Sequence, residues 1–338
     1  MNTGLKITAF AAAVAATFGT AYGVGKGVDP VADKAPTAQH GKHDGATEKG
    51  GQTGKGKGKD GGHGGHAAAA PGGLQISDQG YTLDLKTPRL TADRRTELRF
   101  AVVKDATGRK VTAYRTEHGK ELHLIVAARD LTSYRHLHPT RAADGTWSTP
   151  VTLPEAGGYR VFADFRAADA KEGLTLGADL AVAGTYTPKE LPAHSATARV
   201  DGYEVRLKGE LTAGRASELT LNVTKDGKKV RDLQPYLGSY GHLVALRAGD
   251  LAYLHVHPNG EPGDGRTEAG PGVSFTATAA SPGAYRLFLD FKHEGTVRTA
   301  AFTVHAGAAD GDRTPDADQA EGAKDSEDAG DASGGHEH

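Results

Sequence analysis

The stretch His123-Leu-Ile-Val-Ala-Ala-Arg-Asp-Leu-Thr-Ser-Tyr134-Arg-His136-Leu-His138-Pro139 returns downstream as His242-Leu-Val-Ala-Leu-Arg-Ala-Gly-Asp-Leu-Ala-Tyr253-Leu-His255-Val-His257-Pro258. Both copies carry three histidines in one spacing and a tyrosine two residues before the His-x-His pair. Downstream, Tyr159-Arg-Val-Phe-Ala-Asp-Phe165 matches Tyr285-Arg-Leu-Phe-Leu-Asp-Phe291. Upstream, Tyr81-Thr-Leu-Asp-Leu-Lys86 matches Tyr203-Glu-Val-Arg-Leu-Lys208, and Leu90-Thr-Ala-Asp-Arg-Arg-Thr-Glu-Leu98 matches Leu211-Thr-Ala-Gly-Arg-Ala-Ser-Glu-Leu219. A period of about 120 residues is too long for a solenoid unit and fits two copies of a whole domain.

Within each copy the apolar residues alternate. Leu98, Phe100 and Val102 point one way, as do Leu219, Leu221 and Val223, while Tyr159, Val161 and Ala163 alternate with Arg160, Phe162 and Asp164. Turn signals separate the runs, for example Asp144-Gly145, Asp226-Gly227 and Ser281-Pro-Gly283. Short period-two runs without a sustained helical pattern predict an all-β chain of two tandem immunoglobulin-like β-sandwich domains. The expected layout is a signal peptide or signal anchor at 1–25, a disordered Gly/Lys/His-rich linker at 26–73, and a first sandwich at 74–186. A short linker at 187–195, a second sandwich at 196–306 and a disordered acidic tail at 307–338 complete it.

The remaining composition narrows the function. The 338 residues contain no Cys and one Met, which excludes disulfides, thiol chemistry and soft sulfur ligands. Imidazole and carboxylate are left, and they suit zinc, copper(II) or nickel, with copper(II) and zinc favoured. The apolar run from Ile7 to Gly25, flanked by Lys6 and Lys26, has the layout of an export signal. It predicts an extracytoplasmic protein, secreted or held at the membrane by residues 7–25. No basic stripe with interleaved aromatics is present, so nucleic acid is not an expected partner. No nucleophile elbow, phosphate-cradling loop or zinc-protease helix appears, and an enzyme is not expected.

In a strand, residues i and i+2 share a face, so His136 and His138 point one way, as do His255 and His257. A hairpin with residue 127 opposite 134 places 123 opposite 138, and the same count in the second copy places 242 opposite 257. Opposed residues share a face with Cβ atoms about 5 Å apart. The expectation is a three-histidine metal site in each sandwich: His123, His136 and His138 in the first, His242, His255 and His257 in the second. Asp164 and Asp290 are the repeated acids expected as fourth ligands or as groups orienting a histidine. The alternative is a buried, hydrogen-bonded histidine cluster in a structural or adhesive surface module. His118, His194 and His305 have no counterpart in the repeat, and His293 is expected on a loop.

The phrases around His123, His136 and His138, and around His242, His255 and His257, resemble exported, largely uncharacterised bacterial proteins with paired His-x-His-Pro sandwich modules, over about residues 75–306. In architecture, compartment and ligand type the chain is also loosely similar to the CopC-type copper carriers, although their histidine at the mature N-terminus has no equivalent here. The histidine clusters themselves carry the expectation of an envelope protein that acts as a carrier or buffer of copper(II) or zinc. Its partners would be the metal ion and another envelope protein, with membrane contact only through the N-terminal segment.

Overall fold

The computed structural model describes residues 71–254 and 256–308. The segments expected as signal and acidic tail, most of the expected N-terminal linker, and His255 lie outside the described residues.

The first copy folds as twelve strands: β1 Ser77–Asp78, β2 Tyr81–Leu85, β3 Arg89–Thr91, β4 Thr96–Lys104, β5 Arg109–Lys110, β6 Tyr114–Arg115, β7 Leu122–Ala128, β8 Tyr134–Leu137, β9 Thr140–Arg141, β10 Thr146–Val151, β11 Gly157–Ala167 and β12 Leu174–Ala183. The second copy contributes β13 Thr197–Val200, β14 Tyr203–Lys208, β15 Leu211–Thr212, β16 Ala216–Lys225, β17 Lys228–Lys229, β18 His242–Arg247, β19 Val256–Pro258, β20 Gly272–Thr278, β21 Gly283–His293 and β22 Thr296–Gly307. Each copy forms two sheets. In the first they run β1-β2-β4-β10-β9 and β3-β12-β11-β7-β8; in the second, β13-β14-β16-β20-β19 and β15-β22-β21-β18. Both copies are therefore immunoglobulin-like β-sandwiches.

The alternation seen in the sequence builds each core. Leu83, Phe100, Leu124, Val126, Tyr159 and Val161 fill the first sandwich; Val205, Leu221, Leu243, Tyr285, Leu287 and Phe302 fill the second. Tyr159 and Tyr285 close matching corners. The Tyr159 hydroxyl donates to the Glu155 carbonyl at 3.0 Å, and that of Tyr285 to the Ser281 carbonyl at 2.8 Å. A tyrosine bonded back to the main chain a few residues upstream is a hallmark of immunoglobulin-like sandwiches.

A third apolar cluster lies between the sandwiches. Strand β7 is buried along its whole length. Its even residues enter the first core, and Ile125 and Ala127 point the other way. They meet Val244 and Leu246, which leave the second sandwich from β18 by the same logic. Tyr134 stacks on Phe288 with ring centroids 4.0 Å apart and planes 7° from parallel, and Phe162 lies against Tyr253 at 5.8 Å. Leu131 and Leu251, in the two hairpin turns, are held at φ of 58° and 65°. The left-handed conformation costs a side-chain-bearing residue roughly 1–2 kcal/mol. Burial of each leucine in the cluster offsets that at about 2 kcal/mol.

A short strap seals the same interface. Gly73 N–H donates to the Thr175 carbonyl at 2.8 Å, and Tyr253 N–H donates to the Gly72 carbonyl at 3.0 Å. Buried Arg160 grips the strap from below, its Nε donating to the Gly73 carbonyl at 2.7 Å and its Nη2 to the Leu74 carbonyl at 2.8 Å. Gly73 must be glycine, since it sits at φ of 75° and a Cβ there would stand 2.5 Å from the Phe162 ring.

The cluster between the sandwiches predicts the effect of one truncation. Phe288→Ala removes the stack on Tyr134 and should lower unfolding stability by about 3 kcal/mol. Urea denaturation should then show two transitions where the parent shows one, because the interface that couples the domains is weakened.

Candidate functional site

The face that carries the interdomain cluster also carries the histidines. In β7, His123 stands in the same outward row as Ile125 and Ala127. His136 is opposite Ile125 and Tyr134 opposite Ala127, so both share that face. In β18, His242 stands in the outward row of Val244 and Leu246. The packed sheets therefore bring His242 of one sandwich onto His123 and His136 of the other. Ligand-capable atoms of these three side chains lie within 4.8 Å of one another. The His123 and His242 rings stack with centroids 5.3 Å apart and planes 9° from parallel, and His136 lies 4.7 Å from His242.

The outer nitrogens of the pair are anchored. His136 Nδ1–H donates to Asp290 Oδ2 at 2.8 Å, a contact that crosses from one sandwich to the other with both side chains almost fully buried. His123 Nε2–H donates to the Glu117 carbonyl at 3.2 Å. The inner nitrogens, His123 Nδ1 and His136 Nε2, face each other at 3.2 Å. Tetrahedral zinc with Zn–N near 2.0–2.1 Å holds its ligand nitrogens about 3.3 Å apart, so this spacing fits two ligands on one ion. Histidine ligands characteristically donate the far N–H to a carboxylate or carbonyl, as both rings do here.

His138 adds a further donor. Its ring lies 5.4 Å from that of His123 and 4.8 Å from that of His136. Its Nε2 is buried without a hydrogen-bond partner, an orphan of the kind that a bound ion would satisfy. Burial, reinforced by the neighbouring imidazoles, pushes His138 down to about 3, His123 down to about 4 and His242 well below the usual histidine range. Neutral imidazole is the form that ligates metal.

The aspartates are placed by the strand ladders. Asp164 is the cross-strand partner of His123, and Asp290 of His242. Thr175 Oγ1 donates to Asp164 at 2.9 Å and Thr299 Oγ1 donates to Asp290. Asp290 thus orients a histidine, and that histidine belongs to the other sandwich.

The expected geometry of one triad per sandwich is corrected here. The first-copy hairpin keeps the counted register, with Ala127 opposite Tyr134, and brings His123, His136 and His138 together. In the second copy the register holds only at the bridge between Leu246 and Tyr253. The chain then crosses to the opposite sheet, where β19 pairs with β20 and exposed His257 stands opposite Thr276. His257 is therefore absent from the close trio, and His255 lies outside the described residues. His293, expected on a loop, ends β21 and is buried between the Tyr203 hydroxyl at 2.7 Å and Asp232 Oδ1 at 3.0 Å.

A cleft of about 620 Å³ opens beside the trio, with His123 and His242 among its lining residues. Its carboxylates, Glu117, Glu121, Asp164, Glu172 and Glu261, outnumber Lys120, Arg166 and Lys171, which favours cations. His118, which the repeat did not single out, lines the same cleft, its ring 6.1 Å from His123 and 6.0 Å from His242. Its position in the repeat is occupied by Leu237, so no duplicated pattern pointed to it.

Comparison with known proteins adds a family. The family model described as "Domain of unknown function (DUF8832)" matches residues 75–180 and again 198–308. No curated protein matches the chain. Among solved structures, the Escherichia coli adhesin FdeC is 12% identical over 69% of this chain and 65% of that chain, with a TM-score of 0.22. InvE, an adhesin of Yersinia pseudotuberculosis, is 11% identical over 68% and 60%, with a TM-score of 0.21. Salmonella alpha-2-macroglobulin is 11% identical over 69% and 15%, with a TM-score of 0.22. The chain thus spans less than two thirds of the length of each. Scores this low carry no functional argument, and the architecture rests on the sheets themselves.

The lowered histidines predict how the metal-free protein responds to acid. Unfolded chains protonate histidine below about pH 6.5. Folded His123 stays neutral until about 4. The His123 contribution to stability is therefore complete above about pH 6.5, falls as pH drops and levels near 4, a loss of ~3 kcal/mol, while His138 and His242 carry the decline to lower pH. Urea midpoints measured in EDTA between pH 7 and pH 4 should show this slope, and His123→Gln should make it shallower.

Proposed function

The chain belongs to the DUF8832 family, whose description names no activity, and we propose from the geometry that it binds one divalent transition-metal ion between its two sandwiches. His123, His136 and His242 are the ligands, His138 completes the set, and Asp290 orients His136 from behind. The observation that carries this reading is the facing of His123 Nδ1 and His136 Nε2 at 3.2 Å while their far nitrogens are tied to Glu117 and Asp290. Copper(II) and zinc are the ions that an all-nitrogen site with no sulfur ligand favours. The protein acts outside the cytoplasm as a carrier or buffer of that ion, a placement supported by the apolar run at 7–25. Because the ligands come from both domains, the ion also clamps one sandwich to the other.

A second reading is favoured by the same hydrogen bonds. From Asp290 through His136 and His123 to the Glu117 carbonyl, every ring nitrogen is within bonding distance of a partner. The run of contacts closes without an ion, as a buried hydrogen-bonded clamp across the two sandwiches. On this reading the protein is a structural or adhesive surface module that needs no metal.

Calorimetry separates the two. In the full chain with His40, His43, His63, His66, His336 and His338 replaced by Asn, copper(II) or zinc should bind at one ion per chain and raise the thermal midpoint. His242→Ala should abolish the stoichiometric phase, and Asp290→Asn should weaken it by about 10–100-fold. Absence of uptake, or uptake indifferent to His242, would leave the metal-free clamp.

A further inference from the structure

The turn Glu117-His118-Gly119-Lys120 is a two-residue reversal with φ of 50° at His118 and 75° at Gly119. Glu117 and Lys120 exchange main-chain hydrogen bonds at 2.9 and 3.0 Å. The second sandwich contains the same turn as Tyr236-Leu237-Gly238-Ser239, with φ of 54° and 75° and bonds of 2.7 and 3.3 Å. Leu237 occupies the position of His118, so the turn itself does not require an imidazole. Nor does packing require it, since His118 is exposed and no hydrogen bond holds its ring among the described residues.

Its placement is nevertheless specific. The two turns abut, with an ideal Cβ on Gly238 falling 3.7 Å from His118 Cα. The His118 ring stands about equally far from His123 and His242, one ligand from each sandwich. It also lines both the cleft over the trio and an adjoining cleft of about 370 Å³, together with His257 and Glu261. An exposed, unrestrained imidazole thus stands between solvent and a set of enclosed ones, in a passage whose charge favours cations.

We propose that His118 is the exchange ligand of the histidine centre. It takes a divalent ion from the cleft, passes it to His123 and His242, and receives it again on release. The step is a substitution of one neutral imidazole nitrogen for another on the same ion, so no change of charge or oxidation state is involved. The proposal rests on the metal-binding reading above and assigns its kinetics to a residue outside the closed set.

The test uses zinc chloride, a chromophoric chelator and stopped-flow mixing, in the full chain with the six terminal histidines replaced by Asn. His118→Asn removes the ligand, and asparagine tolerates the positive φ. Zinc affinity should change by less than about threefold, while uptake and EDTA-driven release both slow by ~10-fold. His118→Asp supplies a carboxylate ligand and should bring both rates back toward the parent value. Parental exchange rates in His118→Asn would overturn the proposal while leaving the metal site standing. Loss of affinity in step with rate would also overturn it, by making His118 a permanent ligand. A parent chain that takes up no zinc would instead remove the metal-binding reading, and this one with it.

Discussion

The contact between the outer faces of the two inner sheets governs the rest of the molecule. A β-sandwich buries one face of each sheet in its own core, and the other face is ordinarily left to water. Here Ile125, Ala127, Tyr134 and Phe162 make the outward face of one sheet apolar, and Val244, Leu246, Leu251 and Phe288 do the same for the other. Burying these rows against each other removes both from water. That choice sets the position of every side chain further along the same rows, including His123, His136 and His242.

The histidine centre is a consequence of this packing in a direct geometric sense. Strand periodicity is two, so a histidine two residues from Ile125 or Val244 must lie on the shared face. Asp164 and Asp290 are carried onto that face by β11 and β21, opposite His123 and His242. The polar end of the interface is thus built by the strands that build its apolar end. The cost of burying imidazole and carboxylate there is reduced because Asp290, Glu117 and Thr299 satisfy them.

Duplication did not produce two equal halves. After Tyr134 the first copy continues along its own hairpin, and β8 covers the edge of β7. After Tyr253 the second copy soon crosses to the opposite sheet, leaving β18 at the edge of a four-stranded sheet. The same three-histidine spacing therefore serves two conformations. One supplies three rings to the centre, while the other supplies His242 to the trio and places His257 at the cleft. His118 and Leu237 show the same divergence at an unchanged turn. One sandwich supplies most of the histidine rings, and the other closes the cluster with His242.

The sequence alone determined the duplicated module, its all-β class and the shared outward row of His123 and His242 with their neighbours in β7 and β18. These follow from the repeat and from the period-two alternation of residues such as Leu98, Phe100 and Val102, which are local properties. The counted register between Ala127 and Tyr134 was legible for the same reason. What only the tertiary structure decided is which histidines meet. Alternation separates two faces of a sheet, but it does not say whether the outer face meets solvent or a second sandwich. One trace of the answer was present in the unbroken apolar run Leu124-Ile-Val-Ala-Ala128 and in the outward-facing Phe162 and Phe288, since a strand apolar on both faces is covered on both. The crossing of β19 left no such trace, because sheet exchange depends on long-range pairing with β20 rather than on the residues around His257.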